Sequence, residues 1–178
     1  SRDFEYGSMG GYYTFNEIVE NLDELYEDYP NLVAQKISIG ETLEGRQIWA
    51  IKMSDNPNID EDEPEVLYTG LHHSREPMSM MNLIYFMMHL TENYGIDEQV
   101  THLIENREMW FVPVVNPDGY IYNQTVEPNG GGMHRKNKRS NGCNGYDTGV
   151  DLNRNYPFLW AYDVLSLIHI SEPTRLLR

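Results

Sequence analysis

The chain has 178 residues, with 13 Lys and Arg against 28 Asp and Glu, and a formal charge of −15. This acidic balance argues against a nucleic-acid partner, because phosphate binding needs clustered cations. No apolar run approaches the roughly 20 residues that a membrane span requires. Cys143 is the single cysteine, so an internal disulfide is impossible. We expect one globular domain, since a chain of this length buries about 70% of its unfolded surface.

The first part of the chain predicts a helix followed by an antiparallel pair of strands. Residues 14–17, T-F-N-E, fit a capping box, and apolar residues at helical spacing follow up to about Tyr29. Residues 32–39 and 48–53 alternate in polarity as strands do, and the turn-rich residues 40–46 separate them.

An acidic segment comes next. Residues 55–65 contain six acidic residues among eleven, with Pro57 and Pro64, which predicts an exposed loop. A solvated run of charge is the simpler interpretation. The alternative is a structural Ca²⁺ site, because hard cations bind clustered carboxylate and carbonyl oxygens.

The chain is organised around residues 66–76, VLYTGLHHSRE. A β-prone apolar run, typical of a buried strand, ends at Leu71 and leads into two histidines, an arginine and a glutamate. Zn²⁺ binds imidazole nitrogen and carboxylate oxygen together, and a catalytic zinc uses three protein ligands and a water. His73 and Glu76 could supply two of these ligands. A surface turn with an incidental histidine is the alternative, because H-x-x-E pairs also occur by chance.

The segments that follow predict alternating helices and strands. Residues 78–91 are apolar on several faces and predict a buried helix, and residues 97–106 predict a second helix. Residues 109–115 form a β-rich run that the turn residues 116–119, N-P-D-G, should end. This alternation predicts an α/β fold, a mixed β-sheet with helices on both faces. Ligands of such sheets bind outside the carboxyl ends of strands, where His73 lies.

Several motifs resemble those of the carboxypeptidase A type zinc metallocarboxypeptidases, and they occur in the same order. They are H-S-R-E at 73–76, N-P-D-G at 116–119, R-K at 135–136 and V-D-L-N-R-N at 150–155, with G-x-T-x-E-G-R at 40–46. The resemblance covers about residues 12–162, roughly the amino-terminal half of that family's catalytic domain. It implies a truncated carboxypeptidase-like fold with zinc at the strand ends.

The resemblance also implies an activity and a set of partners. The protein would be a zinc-dependent hydrolase that cleaves the last peptide bond of peptides or proteins with a free carboxy-terminus. His73 and Glu76 would bind one catalytic Zn²⁺, and Arg135 would be a catalytic residue that stabilises the developing negative charge. The family resemblance implies a secreted protein, and we expect a monomer.

Three further residues match substrate-binding positions of the family. Arg75 matches a subsite arginine, and the pair Asn153 and Arg154 would hold the terminal carboxylate of the substrate. Arginine suits this role because its planar fork pairs with a carboxylate through two hydrogen bonds, which a lysine cannot do.

The carboxyl-terminal part of the chain departs from the family. The family's third zinc ligand, a closing tyrosine and a general-base glutamate have no matching positions here. Residues 164–178 resemble translated sequencing-adapter read-through, and His169, although a histidine, lies outside any motif. We therefore expect a lead-in segment at 1–11, a partial catalytic domain at 12–163 and a non-native tail at 164–178. The alternative function is a non-catalytic fragment or pseudo-enzyme that binds peptide carboxy-termini or has no activity.

Overall fold

The computed structural model describes residues 4–156, so the tail predicted at 164–178 lies outside the described residues. The elements are α1 (Phe15–Asp28), β1 (Ile37–Glu41), β2 (Gln47–Met53), β3 (Glu65–Thr69), α2 (Met78–Asn93), α3 (Glu98–Glu105), β4 (Glu108–Val112) and α4 (Pro117–Val126). Two short 3₁₀ turns follow, at Gly145–Asp147 and Leu152–Arg154. None of the described helices is long and apolar enough to cross a membrane.

The four described strands form one mixed sheet in the order β1-β2-β4-β3. β2 pairs antiparallel with β1 and with β4, whereas β3 and β4 run parallel. A parallel pair needs a crossover connection, and α2 and α3 lie between β3 and β4 in the chain. The mixed sheet with its helices confirms the predicted fold class.

The core lies between the helices and one face of the sheet. Ile51, Met109 and Phe111 point into it from β2 and β4, and each is 1% exposed or less. Helix α2 contributes most of its apolar residues, including Met80 and Met87, which are fully buried. Complete burial of such a side chain contributes about 1.5–3 kcal/mol. The prediction of a buried helix with methionines as core residues is therefore confirmed.

The opposite face of the sheet is apolar and, within residues 4–156, partly open. Ile37, Ile39 and Leu67 are 48%, 56% and 65% exposed. The prediction of a buried strand before the histidines is wrong, because β3 alternates between exposed and half-buried positions. In the described part of the chain β3 pairs only with β4. Within residues 4–156 its other edge therefore has no partner strand, and unpaired backbone groups at a sheet edge favour association with another strand.

The sequence located α1 more accurately than β1. The capping box is present, with the Glu17 N–H donating to the Thr14 hydroxyl and the Glu17 carboxylate accepting from the Thr14 N–H. The predicted strand at 32–39 is wrong in its first half. The N–H groups of Leu32 and Val33 both donate to the Tyr29 carbonyl at the end of α1, Val33 forms only an isolated bridge with Met53, and β1 begins at Ile37.

Helix α4 was not predicted, because residues 116–119 were interpreted only as a turn. Asn116 caps the helix by accepting from the Gly119 N–H at 3.1 Å, and proline follows at the first helical position. Both are helix-start signals. A Cβ on Gly119 would lie 2.5 Å from the Lys136 carbonyl oxygen and 2.6 Å from Ser74 Oγ. Glycine therefore allows α4 to pack directly against the loops that carry these two residues.

Candidate active site

The loop between β3 and α2 holds the two predicted metal ligands side by side. His73 Nδ1 lies 3.1 Å from Glu76 Oε2. A turn in which the Glu76 N–H donates to the His73 carbonyl brings the two side chains to the same side. The His73 ring is buried, whereas the Glu76 side chain is 53% exposed. The pair therefore lies at the surface end of the strand, with one member anchored inside the protein.

A strained backbone at Leu71 turns the chain from β3 into this loop. Leu71 has a φ of 50°, in the left-handed region that a bulky residue rarely adopts. Its N–H donates to Ser79 Oγ at 3.0 Å, and Asn116 Nδ2 donates to the His72 carbonyl at 3.2 Å. Strain of this kind costs about 1–3 kcal/mol, clusters at functional sites and persists where surrounding contacts enforce it.

Asp151 connects the histidine to the second half of the site. Its Oδ1 lies 3.0 Å from His73 Nε2 and accepts from the Asn153 N–H at 3.0 Å, while Oδ2 accepts from Arg135 Nε at 3.1 Å. Burial raises the pKa of Asp151, but Arg135 and His73 outweigh burial, so the pKa lies below its ordinary value. An anionic Asp151 favours the His73 tautomer protonated at Nε2. Nδ1 then presents its lone pair toward Glu76.

Arg135 completes the cluster from another loop. Its Nη1 donates to Glu76 Oε1 at 3.2 Å, while its Nε donates to Asp151. The arginine side chain is 27% exposed, so it is partly shielded from water without being sealed off. A fixed guanidinium beside an open carboxylate is the arrangement that can stabilise negative charge developing nearby.

The other three predicted site residues lie near His73 or Asp151 in the sequence, and their side chains are exposed. Arg75 is exposed on the same loop as His73. Asn153 and Arg154 are exposed on the Leu152–Arg154 turn, whose backbone is tied to Asp151. Arg154 Nη1 donates to the Asn153 carbonyl at 3.0 Å. The structure thus brings together three of the six predicted residues, His73, Glu76 and Arg135, by direct side-chain contact.

His72 takes a different direction from its neighbour. Its Nε2 lies 2.5 Å from the Tyr156 hydroxyl. Burial and the nearby His73 lower the pKa of His72, against an opposing effect of Asp151. His72 is thus outside the His73–Glu76 pair, in line with a motif that begins at His73. His169 lies outside the described residues.

The donor set of the pair fits zinc. Two tetrahedral ligands with bonds of about 2.0–2.2 Å lie about 3.4 Å apart, close to the 3.1 Å between His73 Nδ1 and Glu76 Oε2. A zinc-binding histidine usually donates its other N–H to a carboxylate, the role of Asp151 here. Within residues 4–156 the pair is not part of any convergent group of three His, Cys, Asp or Glu. The described residues therefore offer two zinc ligands.

Two buried residues of the site, Asp151 and Asn123, have no role predicted from the sequence. Asp151 was part of the V-D-L-N-R-N motif, and a carboxylate two residues before the Asn-Arg pair was the available signal. Asn123 lies in the unpredicted helix α4, is 3% exposed and contacts both site loops. A single asparagine in a sequence carries no comparable signal.

A second group of acidic residues lies in the segment before β3, which is an irregular loop as predicted. Carboxylate oxygens of Asp55, Glu61 and Glu63 lie within 4.8 Å of one another. Each of these side chains has one buried oxygen, Asp55 Oδ1, Glu61 Oε2 and Glu63 Oε2, without a hydrogen-bond partner in the described structure. Partial desolvation and the charges of Glu61 and Asp55 raise the pKa of Glu63. We refer to these three residues as the carboxylate cluster.

Comparison with known proteins identifies the family of the chain. A family model described as zinc carboxypeptidase matches residues 18–175. The chain belongs to the zinc carboxypeptidase family. The match continues past residue 163, where the sequence predicts a domain boundary, and that boundary stays a prediction. The zinc carboxypeptidase of Saccharothrix mutabilis subsp. capreolus is 36% identical over 161 residues, which are 90% of this chain and 36% of that protein.

Further relatives and solved structures are similar to most of this chain. Mouse carboxypeptidase A2 is 32% identical over 149 residues, covering 84% of this chain and 33% of that protein. Carboxypeptidase A from Helicoverpa armigera superimposes with a TM-score of 0.70 at 30% identity, covering 86% of this chain and 36% of that one. Thrombin activatable fibrinolysis inhibitor superimposes with a TM-score of 0.71 at 29% identity and the same coverages. The chain spans about a third of the length of these curated relatives.

Proposed function

We propose that this chain carries part of the active site of a zinc-dependent carboxypeptidase that hydrolyses the carboxy-terminal peptide bond of peptides or proteins. One observation carries the proposal: His73 Nδ1 and Glu76 Oε2 are adjacent, at 3.1 Å, and Arg135 donates to the other oxygen of Glu76. Family membership supplies the reaction class, and this geometry supplies residues suited to it.

Each residue has a distinct role in the proposal. A bound Zn²⁺ would polarise the scissile carbonyl and lower the pKa of its water. His73 and Glu76 would hold the ion, and Asp151 fixes the orientation and tautomer of His73. Arg135 donates hydrogen bonds to the oxygen on which negative charge develops, an interaction worth about 2.7–4 kcal/mol when one donor is removed.

Substrate recognition falls to three exposed residues. Arg154, with Asn153, would pair with the free carboxylate of the substrate through its planar guanidinium. Arg75 would contact the residues preceding the scissile bond. All three are exposed, which leaves them accessible to a peptide. The substrate class is therefore a peptide or protein with a free carboxy-terminus.

The 178-residue chain by itself is expected to be inactive and to bind zinc weakly. Within residues 4–156 the site offers two zinc ligands, whereas a catalytic zinc uses three, and a missing ligand forfeits much of the binding free energy. The alternative function is a pseudo-enzyme or fragment of this fold that binds peptide carboxy-termini or has no activity.

The test uses the longest natural reading frame that contains this chain. Purified protein is loaded with Zn²⁺, assayed for bound metal and incubated with a peptide that has a free carboxy-terminus. We expect release of single terminal amino acids, lost on treatment with a chelator and in His73→Ala. His72→Ala is the matched control, because its ring contacts Tyr156 rather than Glu76, and it should retain zinc.

Two results would decide against this proposal. Zinc-free protein that releases amino acids as fast as the loaded protein would reject metal catalysis. A fully zinc-loaded protein that binds peptides without cleaving them would favour the pseudo-enzyme. For the 178-residue chain, tight stoichiometric zinc with amino-acid release would require a third ligand outside residues 4–156, such as His169.

We further propose an extracellular location and a monomeric state. The location follows from the resemblance to secreted carboxypeptidases and is tested by the distribution of the natural protein between cells and medium. Light scattering of the purified protein tests the oligomeric state.

We also propose that the carboxylate cluster binds a structural Ca²⁺. Three buried carboxylate oxygens that lack hydrogen-bond partners among residues 4–156 support this proposal, because leaving such groups unpaired is costly and Ca²⁺ prefers oxygen ligands. Ca²⁺ at about 100 times its Kd should stabilise the fold by about 2.7 kcal/mol. Thermal unfolding with and without Ca²⁺ measures this effect.

A charge-neutral variant provides the control for the calcium proposal. Asp55→Asn/Glu61→Gln/Glu63→Gln keeps the shape of the cluster and removes its charge, so its melting temperature should not respond to Ca²⁺. An equal response in the variant, or none in the wild type, would reject the site. Zinc binding at His73 should be unchanged, which separates the two metal sites.

A further inference from the structure

We propose that Asn123 is a positioning residue that sets the place of Arg135 relative to His73. This inference rests on the proposed carboxypeptidase function. Asn123 lies on α4, is 3% exposed, and its side-chain hydrogen bonds within the described residues go to Ser74 and His134 rather than to the metal-ligand pair. Its side-chain amide instead contacts the residue after His73 and the residue before Arg135.

The contacts of Asn123 use both ends of the amide. Nδ2 donates to the Ser74 carbonyl at 3.0 Å and to the His134 carbonyl at 2.8 Å. Oδ1 accepts from the His134 N–H at 2.9 Å. One buried side chain therefore holds backbone groups of two loops that are distant in sequence. The loops also contact each other, since Ser74 Oγ donates to the His134 carbonyl at 2.6 Å and the Ser74 N–H donates to the Arg135 carbonyl at 3.0 Å.

The loop that carries Arg135 needs such support. Residues 127–144 contain no helix or strand, so regular backbone hydrogen bonds do not fix their position. Buried backbone groups in such a segment must find partners elsewhere. The fit is close, because a Cβ on Gly132 would lie 2.5 Å from Asn123 Cβ. Asn123 thus supplies part of the rigid frame that an oxyanion-stabilising arginine requires.

The geometry predicts which substitution is disruptive. Asn123→Asp keeps an oxygen for the His134 N–H but loses both donations and places a negative charge against two carbonyl oxygens. Asn123→Ala removes all of these side-chain hydrogen bonds. Asn21→Ala is the matched control, because Asn21 is also buried but makes its hydrogen bond within α1, to the Glu17 carbonyl at 2.7 Å.

The kinetic test uses the zinc-loaded natural protein described above. We expect kcat to fall about 10- to 100-fold in Asn123→Asp, because displacement of a catalytic group by about 1 Å costs up to about 100-fold. KM and zinc content should change little, since the terminal carboxylate and the metal are bound by other residues. Asn21→Ala should retain the wild-type kcat even if it lowers the melting temperature.

A second measurement is independent of activity. In the nitrogen-15 NMR spectrum, the Arg135 Nε–H should exchange with water about 5- to 10-fold faster in Asn123→Asp than in the wild type, the effect of weakening about one hydrogen bond. If Asn123→Asp does not fold, Ser74→Ala is measured in its place. This milder change in the same network should also speed the exchange of the Arg135 Nε–H with water, by a smaller factor. Unchanged exchange in folded Asn123→Asp would overturn the inference. A wild type without peptidase activity would reject only the proposed function.

Discussion

Replacing Asp151 by asparagine tests the central contact of the site. The carboxylate accepts three hydrogen bonds, two on Oδ1 from His73 and Asn153 and one on Oδ2 from Arg135. An asparagine has a single acceptor oxygen. If that oxygen faces His73, the new NH₂ group opposes the Arg135 Nε–H. If that oxygen faces Arg135, the new NH₂ group instead opposes two donors, the His73 Nε2–H and the Asn153 N–H.

The loss can be estimated from this geometry. In the better orientation one hydrogen bond to a charged group disappears and two donors face each other in a site where Asp151 is 4% exposed. A hydrogen bond to a charged group contributes about 1.5–3 kcal/mol, so Asp151→Asn should lower the free energy of unfolding by about 2–3 kcal/mol. Urea unfolding of the metal-free chain at neutral pH measures this directly.

Asp97→Asn provides a matched control for the same chemical change. Asp97 caps α3 and uses only one oxygen, Oδ1, to accept from the N–H groups of Gln99 and Val100. Asparagine is an equally good N-cap, so this variant should differ from the wild type by less than about 1 kcal/mol. If both variants lose the same small amount, Asp151 does not anchor the site and the reasoning above fails.

Two further predictions concern the rest of the fold. Burial raises the pKa of Glu17, but the hydrogen bonds from Thr14 and Ser8 lower it by a larger amount. The pKa of Glu17 is therefore below its ordinary value. Its contribution, about 1 kcal/mol for such a cap, is present above its ordinary, unfolded pKa and is lost as the pH falls through its lower folded pKa. Chemical unfolding at a series of pH values should therefore show a flatter acid limb for Glu17→Gln; superimposable curves would contradict this. Lys52 and Glu108 form a buried ion pair, with side chains 5% and 2% exposed, so Lys52→Met should cost about 3–5 kcal/mol and Lys52→Met/Glu108→Leu much less. A double variant as unstable as the single one would show that the cost does not arise from the unpaired carboxylate.

The site was predictable in part because its residues are close in sequence. His73 and Glu76 are three positions apart after a β-prone run, so local geometry was enough to bring them together. Arg135 was predicted near them only through the order of family motifs. Asn123 and Asp151 were not assigned roles, because their partners are distant in the chain and neither residue type signals such contacts by itself.

The amino-acid sequence determined the features that depend on neighbouring residues. These are the capping box and amphipathic face of α1, the apolar helix α2, the irregular acidic loop and the turn that pairs His73 with Glu76. Tertiary structure decided how exposed β3 is, since only one face of the sheet is covered in the described part of the chain and Leu67 is 65% exposed. It also decided that Asp151 orients His73 and that α4 supports the loop of Arg135. The physical reason is that a buried hydrogen bond is specified by where its two partners lie in space, and chain folding alone brings such partners together.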